Sequence, residues 1–185
     1  MGIMGDSLDK AAANTFTRPV PKSATAQMKF LVKQEKGSTR AVAQLLGVSQ
    51  RTVERYLKGQ LKQPRPELAA RLFGEVRKRW QPKVRARARQ RAAATGGIVI
   101  ETRARFGYTA APGTSDDGRL RLITQSLPPA YAARLFEAQS SGATEQQLQS
   151  IAAEGLQEIY FKDRGRRAHD LMVEFTDIDY VELDY

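Results

Sequence analysis

The sequence predicts a chain of two parts. The first is an α-helical domain built on a helix-turn-helix. The second is an α+β domain with a small antiparallel sheet, its elements in the order β-β-α-α-β. Three observations predict this. Residues 38–59, STRAVAQLLGVSQRTVERYLKG, carry apolar residues at helical spacing on both sides of Gly47. Cations crowd into the first half: residues 1–95 hold 21 Lys/Arg against 6 Asp/Glu, and residues 96–185 hold 9 against 14. The texture changes at Gly96-Gly97, after which β-branched, partly alternating segments begin.

Residues 1–22 are expected to be weakly ordered, being rich in Gly, Ala, Thr and Pro, with Pro19 and Pro21 barring a continuous helix. A helical domain follows over 23–81. Met28, Leu31 and Val32 mark its first helix. In the motif itself, Ala43 is small where two helices would cross, and Gly47 can take the positive φ of a tight turn. Ser49 is suited to cap the second helix, which carries Val53, Tyr56 and Leu57. Val42 and Val53 would close the core between the two helices. Gly59 ends the second helix, and Pro66 opens another with Leu68, Leu72, Val76 and Trp80 near one face.

Residues 82–96 read as a basic helix or a basic linker, and the second domain spans 97–185. GGIVIETRARFGYT and RLRLITQSL are its first two strands, joined by a loop over 109–118. Pro128-Pro129 start a helix with Leu135 and Phe136 inward. A second helix begins at Thr144 with a capping box to Gln147, its apolar face formed by Leu148, Ile151, Leu156, Ile159 and Tyr160. The acidic, alternating run LMVEFTDIDYVELDY is the third strand.

Charge narrows the function. A chain of 185 residues at net +10, its excess in the first half, is suited to a polyanion. An anionic membrane surface would also attract it, but no apolar run approaches the ~20 residues a spanning helix needs. No secretory signal is expected, since Met1–Lys10 lacks an apolar core segment. The absence of cysteine excludes disulfides and thiol chemistry, and a single histidine argues against a structural zinc site. The expected location is the cytoplasm, on the nucleoid.

The second motif helix would present Gln50, Arg51, Thr52, Arg55 and Lys58 to a major groove. A helical hairpin with a glycine turn is the plainer alternative. Arg77, Lys78 and Arg79, then Arg85, Arg87, Arg89 and Arg91, would contact phosphates rather than form a solvated face. Catalytic motifs are absent: there is no phosphate-binding glycine loop, nucleophile elbow or metal-ligand cluster, and the chain is not expected to be an enzyme. Asp116-Asp117 reads as turn chemistry. His169 reads as a surface or capping residue. The acidic terminal strand would face water or a basic partner. Thr114 and Ser115, between Pro-Gly and Asp-Asp-Gly, are hydroxyls at the tip of a long loop; by itself the loop reads first as a hairpin connection with no role, though a loop of this length is more often functional than a tight turn.

The runs STRAVAQLLGVSQRTVERYLKGQLKQPRPELAARL, the arginine-rich 77–91 and GGIVIETRARFGYTAAPGTSDDGRLRLITQSLPP together resemble the telomere terminal proteins (Tpg-type) of Streptomyces linear chromosomes and plasmids. The resemblance covers the whole chain. It implies a protein primer bound covalently to the 5′ ends of linear replicons. A side-chain hydroxyl takes the first deoxynucleotide from a DNA polymerase, and a telomere-associated protein recognises the folded 3′ overhang. The linkage residue implied is Thr114, with Ser115, Thr109 and Tyr108 as neighbouring hydroxyls. No cofactor of the chain's own is implied; the divalent metal belongs to the polymerase. Two other classes fit the residues without the resemblance: a helix-turn-helix transcriptional regulator, and a nucleoid-associated DNA-binding protein. The first nucleotide, the polymerase and the oligomeric state are not legible.

Overall fold

The computed structural model describes residues 2–109, 119–164 and 171–185, and they divide into two compact units. Residues 17–82 form one; residues 1–16 and 83–185 form the other.

The first unit is all helical, and serine caps start most of its helices. Ser23, Ser38 and Ser49 each accept a backbone N–H from the first turn of α2 (Ala24–Gln34), α3 (Thr39–Leu46) and α4 (Gln50–Leu57). Pro66 opens α5 (Pro66–Arg79). Gly47 ends α3 with φ +62°, a left-handed conformation costly for any residue with a Cβ, and the Val48 N–H closes back on the Ala43 carbonyl at 3.0 Å. Met28, Leu31, Val42, Leu46, Val53, Tyr56, Leu72 and Val76 form the core, so the apolar spacing read along these helices does face inward. Trp80 stacks edge-on against Phe30 at 4.9 Å and donates its indole N–H to the Arg18 carbonyl at 3.0 Å.

The second unit is α+β. Strands β1 (Ile98–Thr109), β2 (Arg119–Leu127) and β3 (Met172–Asp184) form an antiparallel sheet in the order β2-β1-β3. Helices α7 (Pro129–Ser140) and α8 (Glu145–Leu156) lie between β2 and β3 in the chain. Thr144 and Gln147 form the capping box at the start of α8. Alternation sorts the sheet's two faces. Ile98, Ile100, Thr102, Ala104 and Phe106 point into the core with Leu135, Leu148 and Leu156, while Val99, Glu101, Arg103 and Arg105 face outward. Two register shifts in the β1–β3 pairing mark irregularities in the ladder, between Arg103 and Ala104 and between Arg105 and Phe106.

Three expectations are corrected. Residues 1–22 are not uniformly weakly ordered: α1 (Ile3–Asn14) is a helix of this unit. Met4, Leu8, Ala11 and Ala12 repeat at helical spacing and are fully buried, and prolines constrain the chain only from residue 19. Ser7 Oγ accepts the Leu183 N–H at 2.8 Å, and the Glu145 carboxylate accepts the Met4 N–H at 2.6 Å. Second, the division falls at Pro82/Lys83 and not at Gly96-Gly97. Residues 82–96 are α6 (Pro82–Arg91) with a π-helical turn over Ala92–Gly96, running straight into β1. Gly97 is required there for space: its φ is +69°, and a Cβ would sit 2.2 Å from the Leu127 carbonyl oxygen. Third, Tyr160 is exposed rather than on the apolar face of α8. A π-helical turn over Gln157–Phe161 inserts an extra residue per turn, and the ring brought to Phe106 is that of Phe161, at 5.3 Å.

Candidate nucleic-acid interface

The true unit boundaries sharpen the charge asymmetry. Residues 17–82 carry 15 Lys/Arg against 4 Asp/Glu, a net +11. The other unit carries 15 against 16, a net −1. The net positive charge therefore belongs to the helical unit.

Within that unit α4 carries one exposed basic surface, alongside exposed cations elsewhere such as Lys29, Lys36, Arg40 and Lys62. Val53 and Tyr56 anchor its inner side, which turns Arg51, Arg55 and Lys58 outward at i, i+4 and i+7. None of the three has an acidic partner among the described residues. Gln50 and Thr52 differ. The Gln50 amide donates to Thr39 Oγ1 and Glu54 Oε1, each at 3.0 Å, tying α4 to the start of α3. The Thr52 hydroxyl pairs with Ser49 Oγ at 2.9 Å as part of the cap. These two side chains are held in internal contacts, whereas the cations are not. Arg71 on α5 is exposed beside Gly47, although nothing in its local sequence marks that place. Its guanidinium lies 2.9 Å from where a Cβ of Gly47 would be, so the missing side chain makes room for it.

The end of α5 is less available. Glu75 takes hydrogen bonds from both Lys78 and Arg79, and Glu35 stands 4.0 Å from Arg79. Partial burial works to raise the Glu75 pKa, but the bonds and charges of Arg79 and Lys78 outweigh it and hold the carboxyl below its ordinary range. Arg77 is half-buried, its Nε unpartnered.

In the other unit, α6 splits its cations between two sides. Lys83, Arg87 and Arg91 are exposed and lie outside every ion pair among the described residues. Arg85 faces Asp9 at 3.9 Å. Arg89 donates to Gln139 Oε1 at 2.5 Å, sits 5.2 Å over the Phe136 ring, and has its Nε buried. Gln139 in turn donates to Asp9 at 3.2 Å. Arg85 and Arg89 thus bind α6 to its own unit, whereas the expectation for them was phosphate contact. Burial pushes the nearby Tyr185 phenol up, against the opposing pull of Arg89 and Arg85. The acids of β3 are partly matched internally as well: Asp179 meets Arg103 at 3.1 Å, and Glu182 pairs with Lys10.

Thr114, Ser115, Asp116, Asp117 and His169 lie outside the described residues. Tyr108 and Thr109 are the last residues of β1, paired in register with Val173 and Met172 of β3. Arg119 opens β2 opposite Phe106, so 110–118 is the connection of a β1–β2 hairpin. A groove of about 570 Å³ between α8 and β3 is lined by Gln149, Ser150, Gln157, Glu154 and Glu174 among others. With two carboxylates and no cation in its lining, it does not suit a phosphate. Among the described residues no cluster of His, Asp and Glu could hold a metal ion, and no helix is long and apolar enough to cross a membrane. Comparison with family models, with curated proteins and with solved structures returns no match.

Proposed function

We propose that this chain is a DNA-end protein primer. Its helical unit works as a helix-turn-helix that holds duplex DNA, and a hydroxyl in the β1–β2 connection starts a new strand. The observation that carries the reading is the division of labour between the units. The exposed, unmatched cations of Arg51, Arg55 and Lys58 sit on a body of net +11, while the hydroxyl-bearing hairpin belongs to a separate, nearly neutral body. The resemblance of the sequence to telomere terminal proteins supplies the reaction. Base readout falls to Arg51 and Arg55, since Gln50 and Thr52 are engaged internally. Arg87 and Arg91, with Lys83, take the phosphate contacts expected of the arginine run. Telomeric DNA, a telomere-associated protein and a DNA polymerase are the partners, at the chromosome ends in the nucleoid.

In this mechanism Thr114 Oγ1 attacks the α-phosphate of an incoming deoxynucleoside triphosphate. A phosphodiester to the threonine forms, the bond to the β-phosphate breaks, pyrophosphate leaves, and the hydroxyl proton passes to solvent or a polymerase base. A threonine hydroxyl is a weak nucleophile, so the divalent ions of the polymerase must activate it. The chain is then a substrate, not an enzyme. Thr114 and Ser115 are preferred over Tyr108 and Thr109 because the latter have their backbone paired into the sheet.

The test is incubation with polymerase, a divalent metal and labelled deoxynucleotide. Attachment of one nucleotide to the tryptic peptide Phe106–Arg119, and its loss in Thr114→Val with DNA binding intact, is the expected outcome. A transcriptional regulator or nucleoid binder would bind DNA equally well and acquire no nucleotide.

A further inference from the structure

We propose that the outer edge of β2 pairs antiparallel with β2 of a second copy of this chain, joining two three-stranded sheets into one of six strands. The sheet has two edges, and they are treated differently. Along β3 the edge is occupied: Ser7 Oγ accepts the Leu183 N–H and Gln157 Oε1 accepts the Val173 N–H, both at 2.8 Å. That strand also carries Glu174, Asp177, Asp179, Glu182 and Asp184 with no cation. Covering and charging an edge is how folded chains prevent strand addition.

β2 is protected less: among the described residues nothing covers its outer edge, and it carries two charges, Arg119 and Arg121, against the five of β3. No described side chain hydrogen-bonds the backbone of Leu120, Leu122 or Thr124. The outward column of β2 is Leu120, Leu122, Thr124 and Ser126, without a charge. Leu122 is 68% exposed and Leu120 42%. Val99, opposite Ser126 on β1, extends the apolar surface. Such a strand is a template for another strand.

Charge placement selects a second copy as the occupant and β2 as its edge. Pairing through β3 would set five acids against five. Pairing through β2 leaves the two β3 strands outermost, five strand spacings or about 24 Å apart, well beyond the ~8 Å Debye length at physiological ionic strength. Self-complementarity also selects the register. With the two-fold axis at Leu122, that residue faces itself, Leu120 faces Thr124, and Arg121 faces Ile123. No like charges stand directly opposite, and the four leucines form one cluster across the seam. An axis at Arg121 would oppose two arginines. An axis at Ile123 would separate the leucines by placing Leu122 over Thr124 and Leu120 over Ser126.

The inference is independent of DNA binding, and sedimentation of the full-length chain across the micromolar range tests it. The expected result is a monomer–dimer equilibrium that Leu120→Lys with Leu122→Lys abolishes, with unchanged circular dichroism, since both side chains are exposed in the single chain. The register has its own readout because the chain contains no cysteine. Directly opposed residues of an antiparallel pair lie about 4.5–5.5 Å apart at Cα, within disulfide range. Oxidised Leu122→Cys should run as a covalent dimer on a non-reducing gel, and Thr124→Cys as a monomer. A chain that stays monomeric at every concentration, a dimer indifferent to the lysine pair, or equal cross-linking by the two cysteine variants would overturn the proposal.

Discussion

α4 and α6 are both short basic helices, yet their cations meet different surroundings. On α4 the buried pair Val53 and Tyr56 leaves Arg51, Arg55 and Lys58 on the free side, in no ion pair among the described residues. On α6 the cations fall on every second residue, which on a helix advances about 200° per step. Lys83, Arg87 and Arg91 therefore share one side, and Arg85 and Arg89 the opposite one. The second side faces Asp9, Gln139 and Phe136. The difference teaches that an arginine count along a sequence does not measure the field available to a polyanion. What counts is which cations have been matched. Exposed pairs such as Arg134–Glu154, at 2.6 Å, add little stability but still cancel charge locally.

The comparison treats the two units as separable, and the largest expected effect tests that. Phe106→Ala removes a fully buried ring that stacks with Phe161 and Phe175. It should destabilise the α+β unit by about 3–5 kcal/mol. Urea unfolding should show that transition shifted and the transition of the 17–82 unit unmoved. A common shift of both would mean that the units unfold as one.

The next effect separates matched from unmatched arginine. If about six phosphates are neutralised, affinity for duplex DNA should drop roughly a thousandfold between 50 and 200 mM salt. Replacing Arg51, Arg55 and Lys58 with glutamine should lower the slope of log affinity against log salt by about 2 to 3. The same change at Arg85 and Arg89 should leave that slope within about half a unit while lowering the melting temperature. Equal slopes for the two variants would erase the distinction between the helices.

The smallest effect lies at Glu75. Its folded carboxyl is held below the ordinary value, so its contribution is present above that value and lost as pH falls through the folded one. The 17–82 unit should weaken below about pH 4, and Glu75→Gln should flatten that acid limb. Fluorescence of Trp80, the sole tryptophan of the chain, reports on this unit directly.

The strands over 98–109 and 119–127, the turn at Gly47 and the capping box at Thr144 were all legible, because each depends on neighbours within a few residues. The outward trio on α4 was legible for the same reason: anchoring Val53 and Tyr56 decides where Arg51, Arg55 and Lys58 point. Arg71 was not, since its place beside Gly47 arises from the packing of α5. The inward role of Arg85 and Arg89 required knowing that 82–91 is helical and what stands behind it. Gly97 looked like punctuation because its true constraint, the Leu127 carbonyl, lies thirty residues away along the hairpin.

Local chemistry alone therefore specified where the strands and most helices begin, α1 excepted, most of their apolar faces, and that the basic charge lies toward one end. Short-range backbone sterics, side-chain caps and residue periodicity carry that information. Packing decided the rest: that α1 belongs with β3, 176 residues from Ser7 to Leu183, that the units divide at residue 82, and which arginines are left unmatched. Those outcomes depend on the free energy of burying distant surfaces against one another, and no window of neighbouring residues contains it.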